Sequence, residues 1–172
     1  MQVLICYDGS PDAEAALAAA GALFAGNPAT ILTIWEGFSE VMTRAGAGLA
    51  GAPLDFEEID RASAAAARER SEEGCAVARL AGLDAHARTA QQSLTVWGTI
   101  LEQADKVGAD VIVLGSRGLT GVKSLLLGSV SHAVLQHADR PVIVVPGSQV
   151  ARKRADRRHE RRSGLAEPDP EP

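Results

Sequence analysis

Short apolar runs alternate along the chain with longer stretches in which small and apolar residues recur at helical spacing. QVLICY, residues 2–7, is a continuous apolar run of the kind that fills a strand buried on both faces. TILTIWE (30–36), ADVIVLG (109–115) and VIVVP (142–146) repeat that signal, while AHARTA (85–90) alternates and predicts a weaker, edge-like strand. The segments between them predict helices. Ser10 suits an N-cap, and Pro11 the first helical position, where its missing N–H costs nothing. Asp12 and Glu14 favour the positive end of that helix, which is expected to reach about Ala25 and stop at Gly26-Asn27-Pro28. A long helix is expected from about Leu54 to Leu80, with Ile59, Ala62, Ala66, Cys75 and Leu80 among the candidates for its buried side. Further helices are expected over Val96 to Val107 and Ser129 to His137. Gly37 to Pro53 is glycine-rich and irregular, and a mobile loop is the expectation there.

Five strands alternating with four helices are the signature of an α/β fold, a parallel sheet covered on both faces. The length of 172 residues suits a single domain. Apolar residues make up 46% of the chain but only six are aromatic, so the core must be built from Ala, Val, Leu and Ile, with helices packed closely on the sheet. From Gln149 the periodicity stops. VARKRADRRHERRSGLAEPDPEP is charged and proline-ended, so residues 1–147 are expected to form the domain and 148–172 a disordered tail.

Charge is unevenly distributed. Residues 1–148 carry ten basic and seventeen acidic side chains, a balance of −7, whereas Ala151 to Arg162 carries seven basic and two acidic, a balance of +5. An acidic body argues against general nucleic-acid binding. The basic stretch is open to two readings, a solvated tail or a contact for RNA, acidic lipid or a protein partner. MQVLICYD lacks the basic start and long apolar run of a secretion signal, and no apolar stretch approaches a membrane span. Cys6 and Cys75 do not make a disulfide framework, so a reducing, cytoplasmic location without membrane contact is expected. His86, His132, His137 and His159 are scattered and match no metal-ligand spacing.

In an open parallel sheet, ligands sit beyond the carboxyl ends of the strands. The strands at 2–7 and 109–115 end in Asp8-Gly9-Ser10 and in GSRGLTGVKSLLLGSVS, Gly115 to Ser131. Gly115 would leave a ligand room across the strand end, Gly118 would take positive φ and turn the chain back, and Gly128 would bare the backbone before a helix starts at Ser129. The unpaired N–H groups and partial positive charge of that helix start suit phosphate, with the hydroxyls of Ser129 and Ser131 as further donors. Asp8 suits a ribose hydroxyl or a magnesium ion. Neither GxxxxGK[ST] nor GxGxxG is present, so the glycines by themselves also fit a plain connection between a strand and a helix.

The spacing Gly115-x2-Gly118-x9-Gly128-Ser129, the opening VLICYDGSPDAEAAL and the ending HADRPVIVVP resemble, in that order, three segments of the universal stress protein family, over about residues 1–147. The resemblance implies a flavodoxin-like (adenine nucleotide alpha hydrolase-like) arrangement with strand order 3-2-1-4-5, small homodimers, and ATP bound in the crevice as a stress or signalling regulator. It implies that Asp8 meets the ribose or a magnesium ion and that the Ile34 main chain meets adenine. Gly115, Ser116, Arg117, Gly118, Gly128, Ser129, Val130 and Ser131 would surround the ribose and phosphates, and Arg117 and Lys123 would screen phosphate charge or stay solvated. VIVVP, an apolar strand at the sheet edge, is expected to pair two copies. Tyr7, bulky just before the Asp, and the basic tail depart from the family pattern. Two alternatives stay open: an ATP-using enzyme of similar architecture, or a dimeric interaction module without nucleotide. DGSPDAE is not the SGGxDS-like loop of ATP pyrophosphatases, and the intact glycine spacing speaks against the second. Slow ATP hydrolysis without a dedicated base remains compatible with the first reading.

Overall fold

In a computed structural model of the chain, which describes residues 1–38, 41–42, 55–119 and 127–164, five strands form one sheet. They are β1 (Val3–Cys6), β2 (Pro28–Trp35), β3 (Asp84–Gln91), β4 (Val111–Gly115) and β5 (Val142–Val145). Every neighbouring pair is parallel and the order is β3-β2-β1-β4-β5. The helices are α1 (Pro11–Phe24), α2 (Phe56–Leu80), α3 (Val96–Val107), α4 (Ser129–His137) and α5 (Ser148–Gly164). Most of the loop expected between Gly37 and Pro53 lies outside the described residues.

The central strand shows why the sheet is covered twice. Val3, Leu4 and Ile5 are all fully buried, and strand alternation sends them to opposite faces. Val3 and Ile5 pack with Ala16, Leu17 and Ala20 of α1 and Cys75 and Ala78 of α2. Leu4 packs with Ile100 and Ala104 of α3 and Val134 of α4. The helix residues are mostly small, so the helices sit close to the strands, as the scarcity of aromatics requires. The buried stripe of α2 is Ala67, Ser71, Gly74, Cys75 and Ala78. Of the candidates expected from the sequence only Cys75 lies on it; Ala62 and Ala66 are exposed and Leu80 is 91% exposed. The face was set by small residues that permit close approach, not by the largest apolar ones. Gly74 is the tightest of these: a Cβ there would stand 2.8 Å from Tyr7 Cδ1 and 2.9 Å from Ile31 Cγ2.

After β5 the structure departs from the expected disorder. Gly147 O accepts from Val150 N–H (2.9 Å) and Ala151 N–H (3.0 Å), and these bonds open α5. Ala, Arg, Lys, Gln and Glu are good helix formers, and no Gly or Pro interrupts them before Gly164. Charge removed the hydrophobic periodicity without removing helix propensity. Residues 165–172 lie outside the described residues. No helix among the described residues is long and apolar enough to cross a membrane.

Two outcomes test this packing. Gly74→Val should overpack the α2–sheet contact and cost about 1–3 kcal/mol in urea denaturation; an unchanged midpoint would show that the Tyr7 ring yields freely. Because α5 adds no residue to either core cluster, ending the chain at Gly147 should move Tm by no more than about 3 °C.

Candidate functional site

β1 and β4 are neighbours, yet β1 leads into α1 on one face of the sheet and β4 leads to α4 on the other. The connections part at this point, and a crevice opens beyond the strand ends. It holds a cavity of about 220 Å³. Leu32, Ile34, Val96, Ile100 and Leu114 give it an apolar lining, and Asp8, Arg117, Ser129 and Ser131 add polar groups. Of the sequence-predicted residues, Asp8, Ile34, Gly115, Arg117, Gly118, Gly128, Ser129, Val130 and Ser131 line the cavity. Ser116 does not; it lies buried behind the crevice wall.

The turn after β1 is built from its own side chains. Ser10 N–H donates to Asp8 Oδ1 (2.9 Å), and Ser10 Oγ accepts from Ala13 N–H (3.2 Å) as the cap of α1. Gly9 supplies the positive φ of 79° that this reversal needs. The other Asp8 oxygen, Oδ2, lies against Gly118, where a Cβ would stand 2.8 Å away. Gly118 does not take the positive φ expected of it; among the described residues that conformation belongs to Gly9, Gly26, Gly82 and Gly108. Its need for a bare α-carbon comes from the Asp8 carboxylate. Gly115 lines the crevice and has a packing role besides. A Cβ on Gly115 would stand 2.7 Å from the Asp12 carbonyl carbon and 2.9 Å from Ala13 N, so the glycine admits the first turn of α1.

Asp12 is the residue whose role the sequence concealed. It is 6% exposed and accepts from Ser116 Oγ at 2.7 Å. The Arg117 guanidinium reaches it at the longer distances of 3.4 Å and 3.5 Å, and the Gly147 main-chain N–H donates to it as well. Burial pushes the Asp12 carboxyl up, but the bonds from Ser116, Arg117 and Gly147, with the Arg117 charge, outweigh it and hold the group below its ordinary range. Read in sequence, Asp12 is an acid in the first turn of a helix, and nothing local marks its distant partners. Arg117, expected to be solvated or on phosphate, is paired with Asp12 and its side chain is 21% exposed.

The start of α4 differs from the other sheet-covering helices. Ser10, Asp55 and Thr95 each place a side-chain oxygen on a main-chain N–H at the heads of α1, α2 and α3. The N-cap of α4 is Gly128, with no side-chain cap. The first helical bond there runs from His132 N–H to Gly128 O (2.9 Å), which leaves the N–H groups of Ser129, Val130 and Ser131 ahead of it at the crevice. Gly128 also has a packing reason, since its N–H donates to Ser116 O (2.7 Å) and a Cβ would stand 3.2 Å from that oxygen. The Ser131 hydroxyl, expected to face a ligand, is buried and donates to Ser116 O and Gly128 O, both at 3.0 Å; Ser129 is exposed. Lys123 lies outside the described residues.

On the other side of the crevice β2 runs beyond β1. Leu32 O accepts from Tyr7 N–H and Trp35 O from Gln92 N–H. Strand alternation therefore turns the N–H and C=O of Ile34 toward the β1 side, past the end of that strand. The Tyr7 ring packs toward Gly74 and Ile31, so its bulk is absorbed by the core. Burial, with the Asp8 charge, pushes the Cys6 thiol up to about 12, which leaves it protonated and unreactive at neutral pH.

With this geometry in hand, the chain can be placed: it belongs to the universal stress protein family, whose family model matches residues 1–146. A universal stress protein of Thermus aquaticus is 33% identical over 147 residues, covering 83% of this chain and 96% of the relative. Universal stress protein YxiE of Bacillus subtilis is 50% identical over 46 residues, a match that spans 27% of this chain and 31% of that protein's length. Among solved structures, that of protein MJ0577 superposes with a TM-score of 0.69 at 23% identity over 84% of this chain and 94% of its own. A universal stress protein in complex with cAMP gives 0.61 at 25% identity, covering 86% and 98%. The Archaeoglobus fulgidus protein in complex with dAMP gives 0.56 at 22%, covering 84% and 97%.

The Asp12 cluster predicts a pH dependence. Folding lowers the Asp12 pKa, so its stabilisation is complete above the ordinary value of 3.8 and is lost as pH falls through the lower folded value. Asp12→Asn should cost about 1.5–3 kcal/mol at pH 7, and the gap to the wild type should narrow in acid. Equal gaps in urea titrations at neutral and strongly acidic pH would show that the charge contributes nothing.

Proposed function

We propose that the protein binds an adenine nucleotide in this crevice, ATP in the cell, and that occupancy regulates a homodimer or its partners. The observation that carries the reading is the uncapped start of α4 opening on a cavity that also has an apolar lining. Three main-chain N–H groups and the positive end of a helix suit phosphate, and the apolar lining suits a base. Bound cAMP and dAMP in structures of the same fold support it.

Each residue takes a role from its position. The Ile34 N–H and C=O would read the edge of adenine, with Leu32, Val96 and Ile100 against the ring. Asp8 Oδ2 would accept from a ribose hydroxyl. Ser129, Val130 and Ser131 would give their N–H groups to the phosphates, and Arg117 would add charge if it turns from Asp12. Among the described residues no cluster of three or more His, Cys, Asp and Glu side chains could hold a metal. A magnesium ion would therefore enter with the triphosphate, and Asp8 could supply the one carboxylate such ions commonly take from protein. We place the protein in the cytoplasm, a reading supported by the free cysteines Cys6 and Cys75. We place the dimer contact on β5, supported by its edge position and its four part-buried apolar residues.

Calorimetric titration of ATP, AMP and cAMP tests the site. Gly118→Ala would press a methyl group on Asp8 Oδ2 and should weaken ATP by more than tenfold, beyond its effect on stability. Ser129→Ala removes one neutral donor, worth about 0.5–1.5 kcal/mol, and should cost about tenfold or less. ATP binding to Gly118→Ala at wild-type strength would reduce the glycine segment to a connection. Light scattering at micromolar concentration should give the mass of a dimer; a monomer would remove β5 as an interface.

A further inference from the structure

Neither the crevice nor the core explains the charge on α5. Arg152, Lys153, Arg154, Arg157 and Arg158 are all exposed on this helix, and the sequence adds Arg161 and Arg162. Helical spacing places Lys153, Arg154, Arg157 and Arg158 on one side, with Asp156 off that stripe. Arg154, Arg157 and Arg158, with Pro146 and Ala151, line a concavity of about 530 Å³ beside the end of β5. Seven cations against two acids in twelve residues leave one net positive charge per about 3.6 Å of helix axis.

That density selects the partner. Duplex nucleic acid carries one negative charge per about 1.7 Å of its axis, a linear density within about twofold of it. Six of the seven cations are arginines, whose planar forks match phosphate oxygens in pairs. A lipid surface fits less well, because Val150, Ala151 and Ala155 give α5 almost no apolar face to insert. Single strands are commonly held by stacking on aromatic rings, and Ser148 to Gly164 contains none. The acidic balance of residues 1–148 repels a polyanion, so contact would be confined to the helix.

We propose that α5 is a docking surface for the phosphate backbone of duplex nucleic acid, engaged without regard to base sequence. Docking also relieves a local conflict, since Lys153 with Arg157 and Arg154 with Arg158 are like-charged pairs four residues apart, which weaken a helix alone.

The test is fluorescence anisotropy of a labelled duplex of about 20 base pairs with the full chain, without nucleotide, from about 50 to 200 mM salt. Affinity should fall steeply with salt, with a log–log slope of about −0.9 per phosphate neutralised. Arg154→Gln/Arg157→Gln/Arg158→Gln should weaken binding by about tenfold or more and flatten that slope by about 2–3, with Tm and ATP titration unchanged. Polyglutamate and anionic vesicles at equal charge should displace the duplex poorly. Wild-type binding by the triple variant, a flat salt dependence, or displacement by either competitor at equal charge overturns the proposal; displacement by polyglutamate would assign α5 to an acidic protein.

Discussion

A single buried carboxylate ties the strand ends together. Asp12 sits in the first turn of α1, yet its partners are Ser116 and Arg117 beyond β4 and Gly147 beyond β5. Without them a nearly inaccessible charge would be costly to fold. With them it fixes three separate chain reversals at one edge of the crevice. The close approach explains the glycines around it. A Cβ on Gly115 would meet the Asp12 backbone, and one on Gly147 would stand 2.1 Å from Asp12 Oδ1. The crevice keeps its shape because the turns that border it are held to one carboxylate.

This arrangement also explains what could be read from the sequence. Strands and helices were legible where apolar period and capping chemistry agree, as at QVLICY followed by Ser10-Pro11, or at Ser129 to His137. The crevice was legible because its residues follow two strand ends and share a glycine spacing. What escaped was long-range. Packing reasons for Gly115 and Gly118 lie in Asp12 and Asp8, more than a hundred residues away, where local turn chemistry predicts a positive φ for Gly118 that it does not take. The buried face of α2 escaped because Gly74 and Ser71 carry little apolar signal, and are buried because they let the helix approach. In α5 the missing hydrophobic period predicts disorder, although propensity alone favours the helix that forms.

The polar side of the crevice balances two demands. Ser116 O accepts from Gly128 N–H and from the Ser131 hydroxyl, so the loop's own carbonyl is satisfied internally. The N–H groups at the head of α4 are left to the cavity. Replacing a Ser or Asp cap by Gly costs a helix only a few tenths of a kcal/mol, so little stability is lost by leaving that end open. A side chain at 128 would both crowd Ser116 O and compete with any anion for the same donors. One glycine therefore meets the packing constraint at Ser116 O and leaves the helix start uncapped.

Arg117 completes the logic. Its distances of 3.4 Å and 3.5 Å to Asp12 are long for a charged pair, while Ser116 at 2.7 Å and the Gly147 N–H hold the carboxylate independently. The cation is thus held at longer range than Ser116 and is also the partner of Asp12 that lines the cavity. An anion arriving at the head of α4 competes for it against a carboxylate that keeps its other bonds. Departure of Arg117 would raise the electrostatic cost of the buried charge without dismantling the turns. The remaining partners are Ser116 at the end of β4 and Gly147 at the root of α5. The same carboxylate thus joins the crevice lining to the end of the edge strand and the root of the basic helix.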